Sequence, residues 1–89
     1  MVKEHSQSGE SWIMFDNKRS PSNLAQNSLQ ANITQAEETL TTKSVDFLSN
    51  GFKIRTTDAV LNDSSSGYFY MAFAEAPLVG SNNIPATAR

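Results

Sequence analysis

The sequence predicts a small all-β domain, built as an antiparallel sheet or a partial, jelly-roll-like β-sandwich that partner chains complete. Short aromatic runs are separated by turn clusters rich in Ser, Asn and Gly, a pattern typical of strands and hairpins. Charged residues make up only 18% of the chain, whereas surface helices favour Glu and Lys. The 89 residues supply roughly five strands, too few for a complete sandwich without a neighbour.

The chain begins with a polar stretch followed by an apolar run. Residues 1–11 are polar and contain Gly9, which predicts a loose N-terminal arm or a strand separated from its partner. The run WIMF at residues 12–15 predicts a strand with apolar side chains on both faces. It ends at Asp16 and Asn17, a pair of turn residues. The β domain is therefore expected to start at residue 12.

The next segments carry weaker signals. Residues 18–27 contain proline, serine and asparagine and are expected to form a loop. Residues 29–32 predict a brief strand. Thr34 and Glu37 have the spacing of a capping box, but the threonines that follow disfavour a longer helix. Residues 34–40 are therefore expected to be irregular or to form a single helical turn.

A hairpin is predicted in the run VDFLSNGFKIR. Residues 45–48 and 52–55 are two short strands, and Asn50 with Gly51 is a favoured pair for a tight turn because both residues tolerate positive φ. The second strand alternates between residues expected to point inward, Phe52 and Ile54, and residues expected to point outward, Lys53 and Arg55.

The last strong strand signal is the aromatic run YFYMAFAE. Residues 57–61 either continue the preceding strand or begin another, and residues 62–67 predict a hairpin loop. Residues 68–75 have apolar side chains on both faces, which predicts a central strand. Pro77 ends it, because proline donates no hydrogen bond to a β-ladder. The β domain is thus expected at residues 12–79, with residues 80–89 as a C-terminal tail.

Composition excludes several functions. The chain has no cysteine and one histidine, His5, which excludes disulfides and a histidine-based metal site. The net charge is -2 and no basic run exceeds Lys18-Arg19, whereas nucleic-acid binding requires a basic patch. No apolar stretch approaches the roughly 20 residues of a membrane span, and residues 1–11 lack the apolar centre of a signal peptide. No nucleic-acid, membrane, metal or cofactor partner is expected.

Candidate catalytic groups are present but do not form a recognisable motif. Asp16 and Arg19 are expected to form an ion pair, and the NDSSSG segment at residues 62–67 lacks the acidic spacing of a calcium loop. Glu37 and Glu38 are adjacent, but nothing selects the second carboxylate that a glycosidase requires. No G-x-S-x-G motif joins a serine to His5. The domain is therefore predicted not to be an enzyme.

Four motifs in order carry a family resemblance. They are WIMFDNKR at residues 12–19, VDFLSNGFKIR at 45–55, LNDSSSGYFYMAFAEAPLV at 61–79 and IPATAR at 84–89. This pattern resembles the C-terminal domain of tail and virion structural proteins of tailed bacteriophages. The resemblance implies a concanavalin-like β-sandwich. Since members of that family carry a long region before this domain, we expect either a stand-alone small virion protein or a C-terminal piece of a longer one.

The resemblance implies a structural role in a phage particle, as a tail-fibre, tail-associated or capsid-decorating domain made in the host cytoplasm. Its partners would be other virion proteins and further copies of itself. The alternative is a carbohydrate-binding module for host adsorption that recognises a surface glycan, with Trp12, Tyr68 or Tyr70 stacking on sugars, or with ligands held by the loops at residues 17–27 and 62–66. The aromatic and apolar side chains expected to form the core and the assembly contacts are Trp12, Phe15, Phe52, Tyr68, Phe69, Tyr70, Met71 and Phe73.

Overall fold

The computed structural model describes residues 1–74, which form an all-β domain with one short helix. The elements are β1 (Val2–Glu4), β2 (Ile13–Met14), β3 (Asn27–Gln30), β4 (Glu38–Thr39), β5 (Val45–Leu48), β6 (Gly51–Ile54), α1 (Ala59–Asn62) and β7 (Tyr68–Tyr70). They form a five-stranded sheet in the order β4-β3-β2-β1-β7 and a two-stranded sheet, β5-β6. Every strand pair is antiparallel, so the predicted fold class is confirmed.

The hairpin β5–β6 forms where the sequence predicts it. Phe47 pairs with Phe52, and Leu48 pairs with Gly51. The turn therefore lies at Ser49-Asn50, one residue earlier than expected, and Gly51 is the first residue of β6 with a φ of 154°. The predicted alternation is confirmed, because Phe52 and Ile54 are half-buried while Lys53 and Arg55 are exposed.

Of the two alternatives expected for residues 1–11, the loose arm is wrong, and a strand is present with its partners. Residues 2–4 form β1, which lies between β2 and β7 in the five-stranded sheet. Val2 pairs with both Ile13 and Tyr70, and both Val2 and Glu4 are buried. The sequence does not predict the position or the pairing of this strand, because only one of its three residues is apolar and one of its partners lies more than sixty residues later in the chain.

Short strands extend the sheet on the other side of β1. Ile13 pairs with Gln30, so the predicted strand at residues 12–15 is present in shortened form. The brief strand expected at residues 29–32 begins two residues earlier, as β3. Residues 34–37 are irregular, as one alternative for residues 34–40 expected, but residues 38–39 form the short strand β4, which neither alternative included.

The core lies between one face of this sheet, the hairpin and α1. Its buried centre is Val2, Ile13 and Leu61. The half-buried side chains that pack against this centre are Phe15, Phe52, Ile54, Val60 and Tyr68. Asp58 begins α1, because its carboxylate accepts a hydrogen bond from the Val60 N–H at 3.0 Å.

The segment before β7 differs from the sequence prediction. A strand was one expectation for residues 57–61, but residues 59–62 form the short helix α1, which turns Leu61 into the core. Residues 62–67 do not close a hairpin, because β7 pairs with β1 rather than with the strand before it. The turn residues identify a change of chain direction but not which strand the chain meets next.

β7 is a short edge strand rather than the predicted long central one. It spans Tyr68–Tyr70, and β1 is its only partner among residues 1–74. Two apolar faces predict a buried strand, but here they belong to a strand whose side chains are largely exposed. The end of the predicted strand at Glu75, its stop at Pro77 and the predicted tail lie outside the described residues.

Candidate functional site

The largest exposed apolar side chains of residues 1–74 are concentrated at β7 and directly after it. Phe69 is 60% exposed, Tyr70 67%, Met71 49% and Phe73 84%. These four residues are called the β7 surface below. They occupy almost consecutive positions, and such a concentration is unusual on a monomer surface, where exposed apolar residues are normally scattered.

Contacts with two neighbouring elements fix parts of the β7 surface. The His5 ring contacts the Phe69 ring at a tilt of 35°, with a centroid distance of 4.6 Å. Gly67 makes this possible, because a Cβ at that position would overlap the His5 ring. On the other face of the strand, Tyr70 meets Phe52 of the hairpin edge to face at 5.3 Å. The aromatic side chains are therefore held in place on both faces, although they remain exposed.

Tyr68 has a structural role at the start of the same strand. Its hydroxyl donates to the Ala59 carbonyl oxygen at 2.6 Å and accepts from the Asp63 N–H at 2.7 Å. It therefore joins both ends of α1 to β7, and its ring packs on the core. This satisfied hydroxyl and packed ring make Tyr68 unsuited to stacking on a sugar.

The predicted site residues thus divide into two groups. Phe15, Phe52 and Tyr68 pack on the core, and Trp12 is half-buried. The four residues of the β7 surface are exposed instead. The most deeply buried apolar residues are Val2, Ile13, Ala25, Val45 and Leu61, none of which belonged to the predicted core and assembly set. The predicted core consisted mainly of large aromatic residues, whereas the fold buries small and aliphatic residues most deeply.

Loop residues 16–19 are organised by a charged cluster. The Asp16 carboxylate accepts from the Lys18 N–H at 2.9 Å and the Arg19 N–H at 2.7 Å, and it pairs with the Arg19 guanidinium. Hydrogen bonds from the Arg19 backbone, and then from its side chain, lower the pKa of Asp16 against a smaller opposing effect of burial. Arg19 also reaches Glu37 at 2.8 Å. The predicted Asp16–Arg19 ion pair is present, and it links two loops rather than presenting a free carboxylate.

An open depression of about 620 Å³ lies at the end of the hairpin away from its turn. It is lined by Thr41, Thr42, Lys53, Ile54, Arg55, Thr56, Thr57 and Asp58. Two Thr-Thr pairs flank the hairpin in the sequence, and because antiparallel pairing brings the ends of a hairpin together, this clustering was available from the sequence. It does not include the loops at residues 17–27 and 62–66 where glycan contacts were expected.

Residues 1–74 contain neither a clustered metal-ligand set nor a membrane-spanning helix. No group of three or more histidine, cysteine or acidic side chains is placed to hold a metal ion. No helix in this part of the chain is long and apolar enough to cross a membrane.

The fold and this surface define a small all-β domain with an exposed aromatic edge. The chain belongs to the family described as Domain of unknown function (DUF7483), whose model matches residues 1–77. No curated protein and no solved structure matches the chain. The family match covers β1, so the domain includes the N-terminal residues that the sequence pattern assigned to an arm.

Proposed function

We propose that the domain is a structural component of a tailed-phage particle, in a tail fibre, near the tail or on the capsid, and that it assembles with other virion proteins through the β7 surface. The observation that carries this proposal is the concentration of exposed Phe69, Tyr70, Met71 and Phe73. Water-exposed apolar patches rimmed by polar residues typify protein contacts. The proposed role is structural and involves no catalysis.

The energetics favour burial of this surface in an assembly. An aromatic side chain buries roughly 150–250 Å², and removing apolar area from water contributes roughly 25 cal/mol per Å². The three aromatic residues of the β7 surface are each more than half exposed. Covering them would therefore contribute several kcal/mol, which association costs would partly offset. The resemblance of residues 12–19, 45–55 and 61–79 to virion proteins supplies the particle context.

Particle incorporation tests the proposal. We expect mass spectrometry of purified particles to find the chain, and we expect Phe73→Ser to reduce its incorporation. Phe73 is 84% exposed, so this substitution should leave the fold intact, as circular dichroism would verify. Ile33→Ser is the matched control, because Ile33 is also exposed, at 45%, but lies outside the β7 surface. Incorporation that is equal for both variants and the unsubstituted chain would refute the role of the surface.

A second candidate function is binding of a host surface glycan in the open depression. The observation that favours it is the set of four threonines beside Lys53 and Arg55 in the lining, since sugars are bound through hydroxyl and charged hydrogen-bonding groups. The Thr56 hydroxyl already donates to the Thr42 carbonyl oxygen, so the other three threonines would supply the contacts. It ranks second because no aromatic ring lines the depression. A glycan array with the full chain tests it. Binding that Lys53→Ala abolishes, and that Phe73→Ser leaves unchanged, would favour this candidate over assembly.

A further inference from the structure

We propose that the open edge of β7 pairs antiparallel with β7 of a second copy of the chain, in a two-fold dimer centred on Phe69. The inference rests on the proposed function in one respect, since it assigns a particular partner to the same β7 surface. Three features carry it: the direction of the backbone groups of β7, the order of its side chains, and the area and charge of its edge.

On one side of β7, some backbone hydrogen-bonding groups have no partner strand among residues 1–74. His5 N–H donates to the Gly67 carbonyl oxygen at 3.0 Å, and Met71 N–H donates to the Met1 carbonyl oxygen at 2.9 Å. Hydrogen-bonded and non-hydrogen-bonded pairs alternate along an antiparallel ladder. Between Gly67 and Met71, it is therefore Phe69 whose backbone N–H and C=O groups point towards β1. The N–H and C=O groups of Tyr68 and Tyr70 consequently point to the opposite side, where residues 1–74 provide no strand.

The sequence of β7 is palindromic. The strand reads Tyr-Phe-Tyr in either direction. Only the backbone groups that point away from β1, those of Tyr68 and Tyr70, can bond to a second copy. Pairing the whole strand with that copy therefore places Tyr68 opposite its Tyr70, and Phe69 opposite its Phe69. All the resulting cross-strand pairs are aromatic, and aromatic cross-strand pairs stabilise a sheet. A partner with another sequence would not generally supply this complementarity.

The edge lacks the features that usually prevent such pairing. Natural edge strands are protected by charges or prolines, but residues 64–74 contain neither. An uncharged edge meets its own copy without like-charge repulsion. With exposures of 60%, 67% and 84% for the three aromatics, each copy presents roughly 300–500 Å² of aromatic surface. Because Phe69 and Tyr70 point to opposite faces of the strand, edge pairing covers only the part of this area beside the partner strand, and the dimer belongs to the small, weak interfaces below about 1,200 Å².

Charge swapping at the centre of the dimer tests this arrangement. We expect sedimentation of the full chain to show a concentration-dependent dimer. Phe69→Lys and Phe69→Glu should each abolish it, because each places like charges opposite one another on the two-fold axis. Mixing the two variants should restore a heterodimer. Circular dichroism of each variant would verify that the β fold is retained.

Disulfide trapping provides a second measurement that does not depend on affinity. The chain contains no cysteine, so Phe69→Cys introduces a single thiol. Non-hydrogen-bonded antiparallel pairs have Cα atoms roughly 4.5 Å apart, within the range of a disulfide, and we expect rapid covalent dimerisation. Leu48→Cys is the matched control, an exposed apolar position on the hairpin. Met71→Cys should also be slow, because two-fold pairing centred on Phe69 separates the two Met71 residues.

Failure of the dimer is distinguishable from failure of the proposed function. A chain that stays monomeric, with Phe69→Cys no faster than Leu48→Cys, overturns the dimer. If Phe73→Ser still reduces particle incorporation in that case, the surface binds a different virion protein. Rapid trapping of Met71→Cys instead of Phe69→Cys overturns the register. A dimer that forms while Phe73→Ser leaves incorporation unchanged supports the inference and refutes the assembly role.

Discussion

The β5–β6 hairpin and the β1–β7 pair are both antiparallel ladders, but they bring together residues at very different separations. Within the hairpin, Leu48 and Gly51 pair across a two-residue turn. In the other ladder the N-terminal ammonium of Met1 donates to the Met71 carbonyl oxygen at 2.7 Å, 70 residues away. One ladder is closed by its own turn, whereas the other forms only when nearly the whole described chain is in place.

This difference in separation has energetic consequences. Closing a long loop costs more conformational entropy than closing a short one, so β1–β7 pairing requires support from the contacts around it. Val2 provides that support, because it pairs with Ile13 and Tyr70 and is buried with Leu61. The hairpin contributes Phe52 and Ile54 to the periphery of the same core. We therefore expect damage to β1 to unfold the domain and damage to the hairpin turn to weaken it.

The largest effect is expected from proline in β1. Lys3 pairs with Phe69, and the alternation of the ladder makes this a hydrogen-bonded pair. Lys3→Pro removes that N–H from a central strand, a position where proline is essentially never found, and we expect the loss to be a large part of the roughly 5–15 kcal/mol stability of a typical domain. We expect loss of the cooperative unfolding transition in urea.

Lys3→Ala is the control at the same position. It keeps the backbone N–H and removes only a side chain that donates to the Glu10 carbonyl oxygen. We expect it to cost no more than about 1 kcal/mol. If Lys3→Pro unfolds at the same urea concentration as Lys3→Ala, the β1–β7 ladder does not hold the domain together.

A smaller effect is expected at the turn of the hairpin. Gly51 has a φ of 154°, and a Cβ there would meet no atom within 4 Å. The cost of Gly51→Val is therefore one of backbone conformation alone, of the order of 1–3 kcal/mol. We expect a lower urea midpoint with the cooperative transition retained. Lys53→Val, a β-branched substitution at an exposed position of the same strand, should be close to neutral, and equal losses in both variants would contradict a special role for Gly51.

The same contrast explains which parts of the fold the sequence predicts. The hairpin was predicted to within one residue, because the Asn50-Gly51 signal and both strands lie in one stretch of the chain. For residues 1–11 a strand was only one of two alternatives, and the burial of β1 was not predicted, because it depends on strands far along the chain and residues VKE carry no local pattern of their own. α1 was missed because it is a single turn of four residues, too short for helical periodicity to appear.

The candidate site shows a similar division. The sequence identified Phe69, Tyr70, Met71 and Phe73 as residues of interest, because aromatic and apolar side chains are concentrated there. It did not predict that they lie at a sheet edge, since a strand with two apolar faces fits a buried position equally well by pattern. Which side of β7 stays open depends on its pairing with β1, and so on the non-local contact that the local pattern does not contain.

The junction between α1 and β7 offers a finer test of the non-local ladder. Tyr68→Phe removes a hydroxyl that donates to the Ala59 carbonyl oxygen and accepts from the Asp63 N–H. We expect a loss of about 1–2 kcal/mol, since two backbone groups lose their partner. Tyr70→Phe is the matched control, because Tyr70 is 67% exposed and its substitution should be near neutral. A greater loss for Tyr70→Phe would contradict this assignment.

The smallest effect is expected from Asp16, which stabilises a loop distant in sequence from both ends of the β1–β7 ladder. Hydrogen bonds from Arg19 lower the pKa of Asp16 in the folded state, so the folded state favours its ionised form. The resulting stability is present above the unfolded-state pKa of about 3.9 and is lost as the pH falls through the lower folded-state pKa. Because the side chain is 43% exposed, solvent screening limits the contribution to below about 1 kcal/mol.

Asp16→Asn should therefore lower the stability at neutral pH slightly and reduce the loss of stability between neutral pH and a pH of about 3. Hydrogen bonds from the Ser65 backbone and hydroxyl also lower the pKa of Asp63. Its stability contribution therefore changes with pH in the same direction, and Asp63→Asn and the double variant should be measured alongside Asp16→Asn. Urea unfolding at the two pH values measures each contribution. If Asp16→Asn leaves the pH dependence unchanged, the carboxylate is not preferentially ionised in the folded state. If it abolishes folding at neutral pH, the Asp16 loop matters as much as the β1–β7 ladder, contrary to the order of effects expected here.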